Sequence, residues 1–117
     1  MAQTPSTMLP LGTQCPDFKL PDIDGSLVSN RDFKENPLLV VFICNHCPFV
    51  KSIIDVLAKR LKEYQDNAVN VVTIMSNDYK AYPNDSPEEM KNVAQTRAFT
   101  FPYLLDEDQA VAKAFRA

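Results

Sequence analysis

The stretch Leu38-Leu-Val-Val-Phe-Ile-Cys44-Asn-His-Cys47-Pro48, with the run that follows it to Tyr64, decides the fold. Residues 38–43 carry no polar side chain, which is typical of a strand covered on both faces of a parallel sheet. Pro48 fits the first turn of a helix, where a missing N–H is tolerated. Beyond it, apolar residues recur at helical spacing with polar residues between them. The predicted inner face of this helix comprises Phe49, Val50, Ile53, Ile54, Leu57, Ala58, Leu61 and Tyr64.

Cys44 and Cys47 therefore lie at or just before the amino end of the predicted helix. Unpaired N–H groups and the helix dipole stabilise a thiolate there, and the thiolate is the reactive form of cysteine. The pattern predicts thiol–disulfide chemistry with these two residues as the catalytic pair. With two residues between them, one thiol can be exposed while the other lies behind it. We expect Cys44 to attack a protein or small-molecule disulfide and Cys47 to resolve the mixed disulfide.

The residues around the two thiols are candidates for tuning them: Asn45, His46 and Pro48. A protonated His46 beside a thiolate would add to the effect of the helix dipole and favour the reduced form, which makes the disulfide more oxidising. An ordinary exposed histidine is the alternative interpretation. Lys51, on the first turns of the helix, is most simply interpreted as a solvated surface residue.

Composition limits the function further. The chain of 117 residues has a formal net charge of -3 and no basic cluster, so nucleic acid is not expected as a partner. No apolar run approaches the ~20 residues of a membrane span, and the first ten residues do not resemble a signal peptide. Three cysteines argue against a disulfide-stapled secreted scaffold, so we expect a cytoplasmic protein. We expect one domain at 13–117 after a flexible lead-in at 1–12, with no cofactor and no metal.

The remaining elements follow from local signals. Phe18–Leu20 and Leu27–Val28 flank the turn-forming residues 22–25 and predict a small β-hairpin. Ser29 with Asp32 predicts a capped helical turn that runs through Glu35. Residues 69–75 are rich in β-branched side chains and predict a second strand, parallel to the first, which completes a βαβ unit.

Beyond the second strand, 76–85 is predicted to be a polar loop on the same edge of the sheet as the cysteines, where open α/β sheets place their sites. Asn77, Asp78 and Tyr79 could border the site, although a plain polar loop is the simpler interpretation. Ser86 with Glu89 predicts a capped helix whose inner face holds Met90, Val93, Ala94 and Ala98. Residues 101–105 are predicted to be extended. Asp106 with Gln109 is expected to cap a last helix bearing Val111, Ala112 and Phe115.

These residues together resemble the thioredoxin-like superfamily, and specifically its peroxiredoxin-like (AhpC/TSA, redoxin) branch. The segment 16–22 with Gly25 resembles the opening motif PDFxLxDxxG of that branch, and 101–106 resembles its FPxLxD segment. The resemblance implies an α/β thioredoxin-like fold and an enzyme of redox homeostasis that acts on disulfides or peroxides and is recycled by a thiol reductant. It also implies a closing β-hairpin and last helix, which would begin past Ala117, so we expect the chain to be incomplete.

The chain departs from the peroxiredoxin pattern PxxxTxxC. If Cys47 takes the position of the peroxidatic cysteine, Val40 replaces the proline and Cys44 replaces the threonine. Fast peroxide reduction is therefore in doubt, although Cys44 would supply a resolving thiol. The buried carboxylate that assists the resolving thiol in thioredoxin is also expected to be missing, because 38–43 contains no acid.

Three functions stay open from the sequence. The first is a thiol–disulfide oxidoreductase, and the second is a thiol peroxidase with Cys47 peroxidatic and Cys44 resolving. The third is a non-catalytic fold that binds a partner or zinc through the same edge, although His46 and Cys15 leave few further ligands for zinc. Cys15 is expected to be a bystander, with a distant resolving cysteine as the alternative.

Overall fold

The computed structural model describes residues 10–33, 36–45 and 48–116, with the backbone alone at 48 and 49. Its main sheet has three parallel strands in the order β3-β4-β5, with β3 at Leu38–Phe42, β4 at Asn70–Met75 and β5 at Tyr103–Leu105. Leu38 pairs with Asn70 and Phe42 with Ile74, which confirms the predicted parallel strands. The carboxyl ends of all three strands therefore meet at one edge.

Two helices cover one face of the sheet: α1 at Pro48–Asp66 and α2 at Pro87–Thr96. Each connects neighbouring parallel strands, and right-handed crossovers that advance in one direction place both helices on the same side. The core on this face consists of Ile43, Cys44, Ile54, Met75, Met90, Ala94 and Tyr103.

The opposite face is covered by the hairpin of β1 at Lys19–Pro21 and β2 at Leu27–Ser29, and by α3 at Ala110–Ala114. The ring of Phe115 lies 6.1 Å from that of Phe18 and 5.6 Å from that of Phe42, between ring centroids. The Asp22 carboxylate accepts hydrogen bonds from the N–H groups of Ile23, at 2.7 Å, and Tyr103, at 3.1 Å. The predicted hairpin is confirmed, and its turn is tied directly to β5.

Burial differs from the sequence prediction in two places. Every residue of β3 is half-buried, whereas residues 71–75 of β4 are fully buried. Strand β3 is an edge strand of the described sheet and β4 is its centre, so β3 is less buried than β4. Both of its faces are covered as predicted, since Leu39 and Val41 pack on the side of α1 and the other three residues pack on the side of the hairpin. On α1, Ile53 and Tyr64 are 50% and 51% exposed, because the helix buries a narrower stripe than the apolar pattern suggests.

Two of the predicted N-terminal caps form, one at the 3₁₀ turn after β2 and one at α2. Ser29 and Asp32 make the expected capping box around a 3₁₀ turn at Asn30–Asp32, which ends before Glu35; Glu35 itself lies outside the described residues. The Ser86 hydroxyl accepts a hydrogen bond from the Glu89 N–H at 3.3 Å. In a full capping box the N–H of Ser86 would donate to the Glu89 side chain. Here it donates to the carbonyl of Pro83 instead.

The cap of α3 differs from the prediction. The Asp106 carboxylate accepts from the N–H groups of Val111, at 3.2 Å, and Ala112, at 2.9 Å, as expected for a cap. Gln109 was wrongly predicted to share this role: it adopts a left-handed conformation with φ +60° and its side chain donates to the carbonyl of Glu107. On α2, Ala98 lies past the helix end and is exposed.

Within the described ranges, no helix combines the length and the apolar character that a membrane span requires.

A pair of substitutions on α1 tests how much of its apolar stripe is core. Leu61 is 2% exposed and Ile53 is 50% exposed. Leu61→Ala should lower the free energy of unfolding by about 2–4 kcal/mol, because it leaves a cavity in the core. Ile53→Ala should change it by less than about 1 kcal/mol, since half of its surface is already in water. Urea unfolding followed by circular dichroism measures both, and equal losses would contradict this packing.

Candidate active site

The candidate site begins where β3 ends. The N–H of Ile43 donates to the carbonyl of Ile74 at 3.0 Å, which extends the pairing of the two strands by one residue. Cys44 follows directly and belongs to the core beneath α1 and α2, with Met75 and Tyr103 in the same cluster. The rigid end of the sheet thus fixes the backbone up to the first cysteine.

Cys44 is only 4% exposed. Cys44 is therefore more buried than expected of an attacking thiol, which a substrate disulfide has to reach, while its catalytic role stays a prediction. Cys47 and His46, the other predicted catalytic and tuning residues, lie outside the described residues. Helix α1 begins at Pro48, which confirms the predicted helix start directly after the second cysteine.

Asn45 is held from both its backbone and its side chain. Its N–H donates to Oδ1 of Asp85 at 2.6 Å, and the hydroxyl of Tyr103 donates to its Oδ1 at 2.8 Å. The second oxygen of Asp85 accepts from Nδ2 of Asn77 at 3.1 Å. Asp85 and Tyr103 are fully buried and Asn45 is 9% exposed. These four residues, the Asn45 network, fix the position of the residue that directly follows Cys44.

The electrostatics of the network keep Tyr103 neutral. Burial raises the pKa of its phenol far above the ordinary value of 10, and the negative charge of Asp85 and that of a Cys44 thiolate raise it further. The neutral hydroxyl is a dependable donor to Asn45. Asp85 and Cys44 therefore both lie close enough to the Tyr103 phenol to affect its pKa.

The Asn45 network corrects one prediction and extends another. A buried carboxylate is present at the site although β3 contains no acid, since Asp85 reaches it from the loop after β4. Nothing local in the sequence identifies Asp85 or Tyr103, which lie 40 and 58 residues from Asn45. The available signal was topological: the loop was predicted at the same edge as the cysteines.

Of the three loop residues considered from sequence, only Asn77 joins the network. The hydroxyl of Tyr79 donates to Oε1 of Glu107 at 2.8 Å on the surface, and a carboxylate oxygen of Asp78 accepts from the N–H of Lys80. For these two residues the plain polar loop was the better interpretation.

Two cavities adjoin Cys44. One, of about 270 Å³, lies towards α3 and is lined by residues that include Ser76, Asn77 and Gln109. The other, of about 290 Å³, lies between α1 and α2 and is lined by residues that include Asn45 and Lys51. Both are large enough to admit part of a small molecule next to the cysteine.

Cys15 lies apart from this site. It is exposed and lines a cavity with Leu38, Val40 and Phe115, on the face of the sheet opposite α1 and α2. Partial burial and the charge of Asp17 raise the pKa of its thiol. A raised thiol pKa lowers the thiolate fraction at neutral pH, which fits a bystander better than a resolving cysteine.

Parallel strands, helices on both faces and a cysteine at the carboxyl edge define a thioredoxin-like fold with a thiol site. A thioredoxin domain from a thiol-disulfide oxidoreductase of Bacteroides vulgatus has this fold, with a TM-score of 0.73 and 20% identity over 93% of this chain and 75% of that one. An uncharacterized conserved protein from Geobacillus kaustophilus is more similar. Its TM-score is 0.91 and its identity 47%, over 96% of this chain and 60% of that one.

The family follows from a second comparison. The model of the AhpC/TSA family matches residues 11–117, so the chain belongs to this family of thiol redox proteins. The protein called "Putative peroxiredoxin Rv2521" of Mycobacterium tuberculosis is 30% identical over 114 residues, which cover 97% of this chain and 68% of that protein. The chain thus spans about two thirds of this relative and 60% of the Geobacillus structure.

The raised pKa of Tyr103 makes stability depend on alkaline pH. A folded-state pKa above the unfolded value of about 10 gives stability that is complete below pH 10 and is lost as pH rises towards the folded value. Wild-type protein should therefore show a late absorbance step at 295 nm that coincides with unfolding by circular dichroism. Tyr103→Phe should lack this step and be about 1–2 kcal/mol less stable at pH 7, because Oδ1 of Asn45 loses its donor. A Tyr103 that ionises while the fold is intact would contradict the network.

Proposed function

We propose that this chain is a thiol–disulfide oxidoreductase that uses Cys44 and Cys47 as a dithiol. The observation that carries the proposal is the fixation of Asn45, whose N–H binds the buried Asp85 and whose side chain binds Tyr103. Fixing the backbone at the residue after Cys44 reduces the conformational freedom of the segment between the two cysteines, and this would lower the entropic cost of closing a Cys44–Cys47 disulfide.

The burial of Cys44 supports one order of steps. A Cys47 thiolate attacks a substrate disulfide, which releases one substrate thiol and forms a mixed disulfide. Cys44 then attacks the sulfur of Cys47, which releases the second thiol and leaves a Cys44–Cys47 disulfide. A buried thiol is suited to the second step, because that step happens within the protein. Its position between two cavities allows the released thiol to leave.

The proposal includes partners and a location. The substrates are disulfides of proteins or small molecules, and an external thiol reductant returns the dithiol to its reduced form. We propose a cytoplasmic location, where a reducing thiol pool supports this cycle and where a chain with three cysteines is not required to form structural disulfides.

Trapping tests the order of steps. Cys44→Ser, which keeps the attacking thiol and lacks the resolving one, should accumulate a mixed disulfide with a disulfide-bonded substrate. Cys47→Ser should accumulate at least tenfold less, because its single thiol is buried. Mass spectrometry of the intact adduct measures both, with Cys15→Ser added to each variant to remove the exposed thiol. Stronger trapping by Cys47→Ser would restore the order predicted from the sequence, and equal failure of both would refute the dithiol mechanism.

A thiol peroxidase is the second candidate, supported by membership of the AhpC/TSA family and by a buried Cys44 that suits a resolving role. Val40 and Cys44 stand where the peroxide-binding proline and threonine of peroxiredoxins are expected, which opposes it.

Peroxide kinetics distinguish the two candidates. The reduced protein should consume hydrogen peroxide at about the rate of a free thiol, since the groups that polarise peroxide are absent from those two positions. Stopped-flow measurement with formation of the Cys44–Cys47 disulfide followed by mass spectrometry gives the rate. A rate a thousandfold above that of a free thiol would establish the peroxidase instead.

A further inference from the structure

We propose that the cavity between α1 and α2, the α1/α2 cavity, binds the carboxylate of a small-molecule disulfide substrate. This inference rests on the proposed oxidoreductase function and adds the chemical class of the substrate. The cavity measures about 290 Å³ and reaches Cys44 at one end. Its apolar wall comes from Val50 and Ile54 of α1 and from Val93 of α2, which suits the carbon chain next to a disulfide.

One of the residues that line the cavity, Asn45, carries an unpartnered donor. Nδ2 of Asn45 is buried and has no hydrogen-bond partner among the described residues, while Oδ1 of the same side chain is bound by Tyr103. Because Tyr103 donates its proton to Oδ1, the orientation of the amide is fixed and Nδ2 cannot turn to another acceptor. A buried amide donor without an acceptor destabilises the protein, and a ligand oxygen would remove that cost.

Two cations stand at the cavity and make an anionic oxygen the best fit. Lys51 lines it from α1 and Arg97 from the end of α2, and both are exposed. Arg97 pairs with Asp55 at 2.8 Å, and no carboxylate of the described chain lies within ion-pair distance of Lys51. Asp55 reaches the cavity only through its ion pair with Arg97, and no acid is among the described residues that line the cavity.

A carboxylate satisfies these groups together. One oxygen can accept from Nδ2 of Asn45 while the charge interacts with Lys51 and Arg97, and the attached carbon chain extends along the apolar wall, in the cavity that Cys44 also lines. A neutral arm would leave the charge of Lys51 without a partner, and a cationic arm would be repelled by it. In the reaction, the protein dithiol gives two electrons to the substrate, so one disulfide becomes two thiols and Cys44–Cys47 becomes the disulfide.

Three small disulfides of similar size test the charge preference. Reduced protein should react with 3,3′-dithiodipropionate about threefold to tenfold faster than with bis(2-hydroxyethyl) disulfide at low salt, which is the range expected for one or two exposed ion pairs. Cystamine, which is cationic, should be slowest. Quenched mixtures analysed by mass spectrometry give the rates, and the preference should shrink at high salt.

Variants that each remove one positive charge show whether the preference for the anionic disulfide arises at the α1/α2 cavity. Lys51→Gln and Arg97→Gln should each reduce the ratio of anionic to neutral rates by at least half. Lys59→Gln changes the net charge equally from an exposed position on α1 that does not line the cavity, and it should leave the ratio unchanged. Asp55→Asn removes the ion pair of Arg97 but keeps its charge at the cavity, so the ratio should stay equal or rise.

Binding of a dicarboxylate that has no disulfide, and therefore cannot react, provides an independent measurement of the subsite. Octanedioate has the spacing of 3,3′-dithiodipropionate but no sulfur, and its titration should shift the side-chain amide signal of Asn45 in a ¹⁵N–¹H spectrum. Octane-1,8-diol should not. The absence of this shift, or a shift equally strong in Lys51→Gln and Arg97→Gln, would overturn the proposed subsite.

The outcomes separate this inference from the proposed function. If all three disulfides react equally fast, the oxidoreductase stands and the carboxylate subsite is wrong. If no disulfide reacts, the proposed function fails, and the octanedioate titration still decides whether the cavity binds a carboxylate.

Discussion

The hydrogen bond from the Asn45 N–H to the buried carboxylate of Asp85 is the constraint on which the site depends. A carboxylate that is removed from water needs several donors, and Asp85 obtains them from Asn45 and Asn77 at 2.6 and 3.1 Å. Satisfying this charge joins the end of β3 to the loop after β4. The position of Asn45, directly after Cys44, is therefore set by buried groups in the interior of the protein.

A second buried carboxylate organises the opposite side of the same edge. Asp106 accepts from the hydroxyl of Ser76 at 2.8 Å and from two N–H groups at the start of α3. Asp85 and Asp106 thus follow the carboxyl ends of β4 and β5 on either side of Cys44, each with its oxygens bound. Two cavities adjoin Cys44, so the cysteine is largely buried and yet borders space that part of a small molecule could enter.

Much of the fold could be predicted because its signals are local. The apolar run before Cys44, the proline after Cys47 and the serine at 86 each act within one turn or strand, and the strands, helix starts and caps formed as expected. Predictions failed where burial depends on neighbours. Strand β3 is only half-buried because it lies at the edge of the described sheet, and Ile53 is half-exposed. The side chain of Gln109 does not cap α3, whose first N–H groups donate to Asp106 and Asp108.

The sequence by itself determined the order of the elements, the placement of two cysteines at a helix start and the membership of a thiol redox family, because periodicity, capping and motif spacing are properties of contiguous residues. Only the tertiary structure decided which thiol is buried and which groups surround it. Asp85, Tyr103 and Arg97 reach Asn45 and its cavity from three separate elements. Parallel strand pairing brings those elements to one edge, and no spacing along the chain records that distance in space.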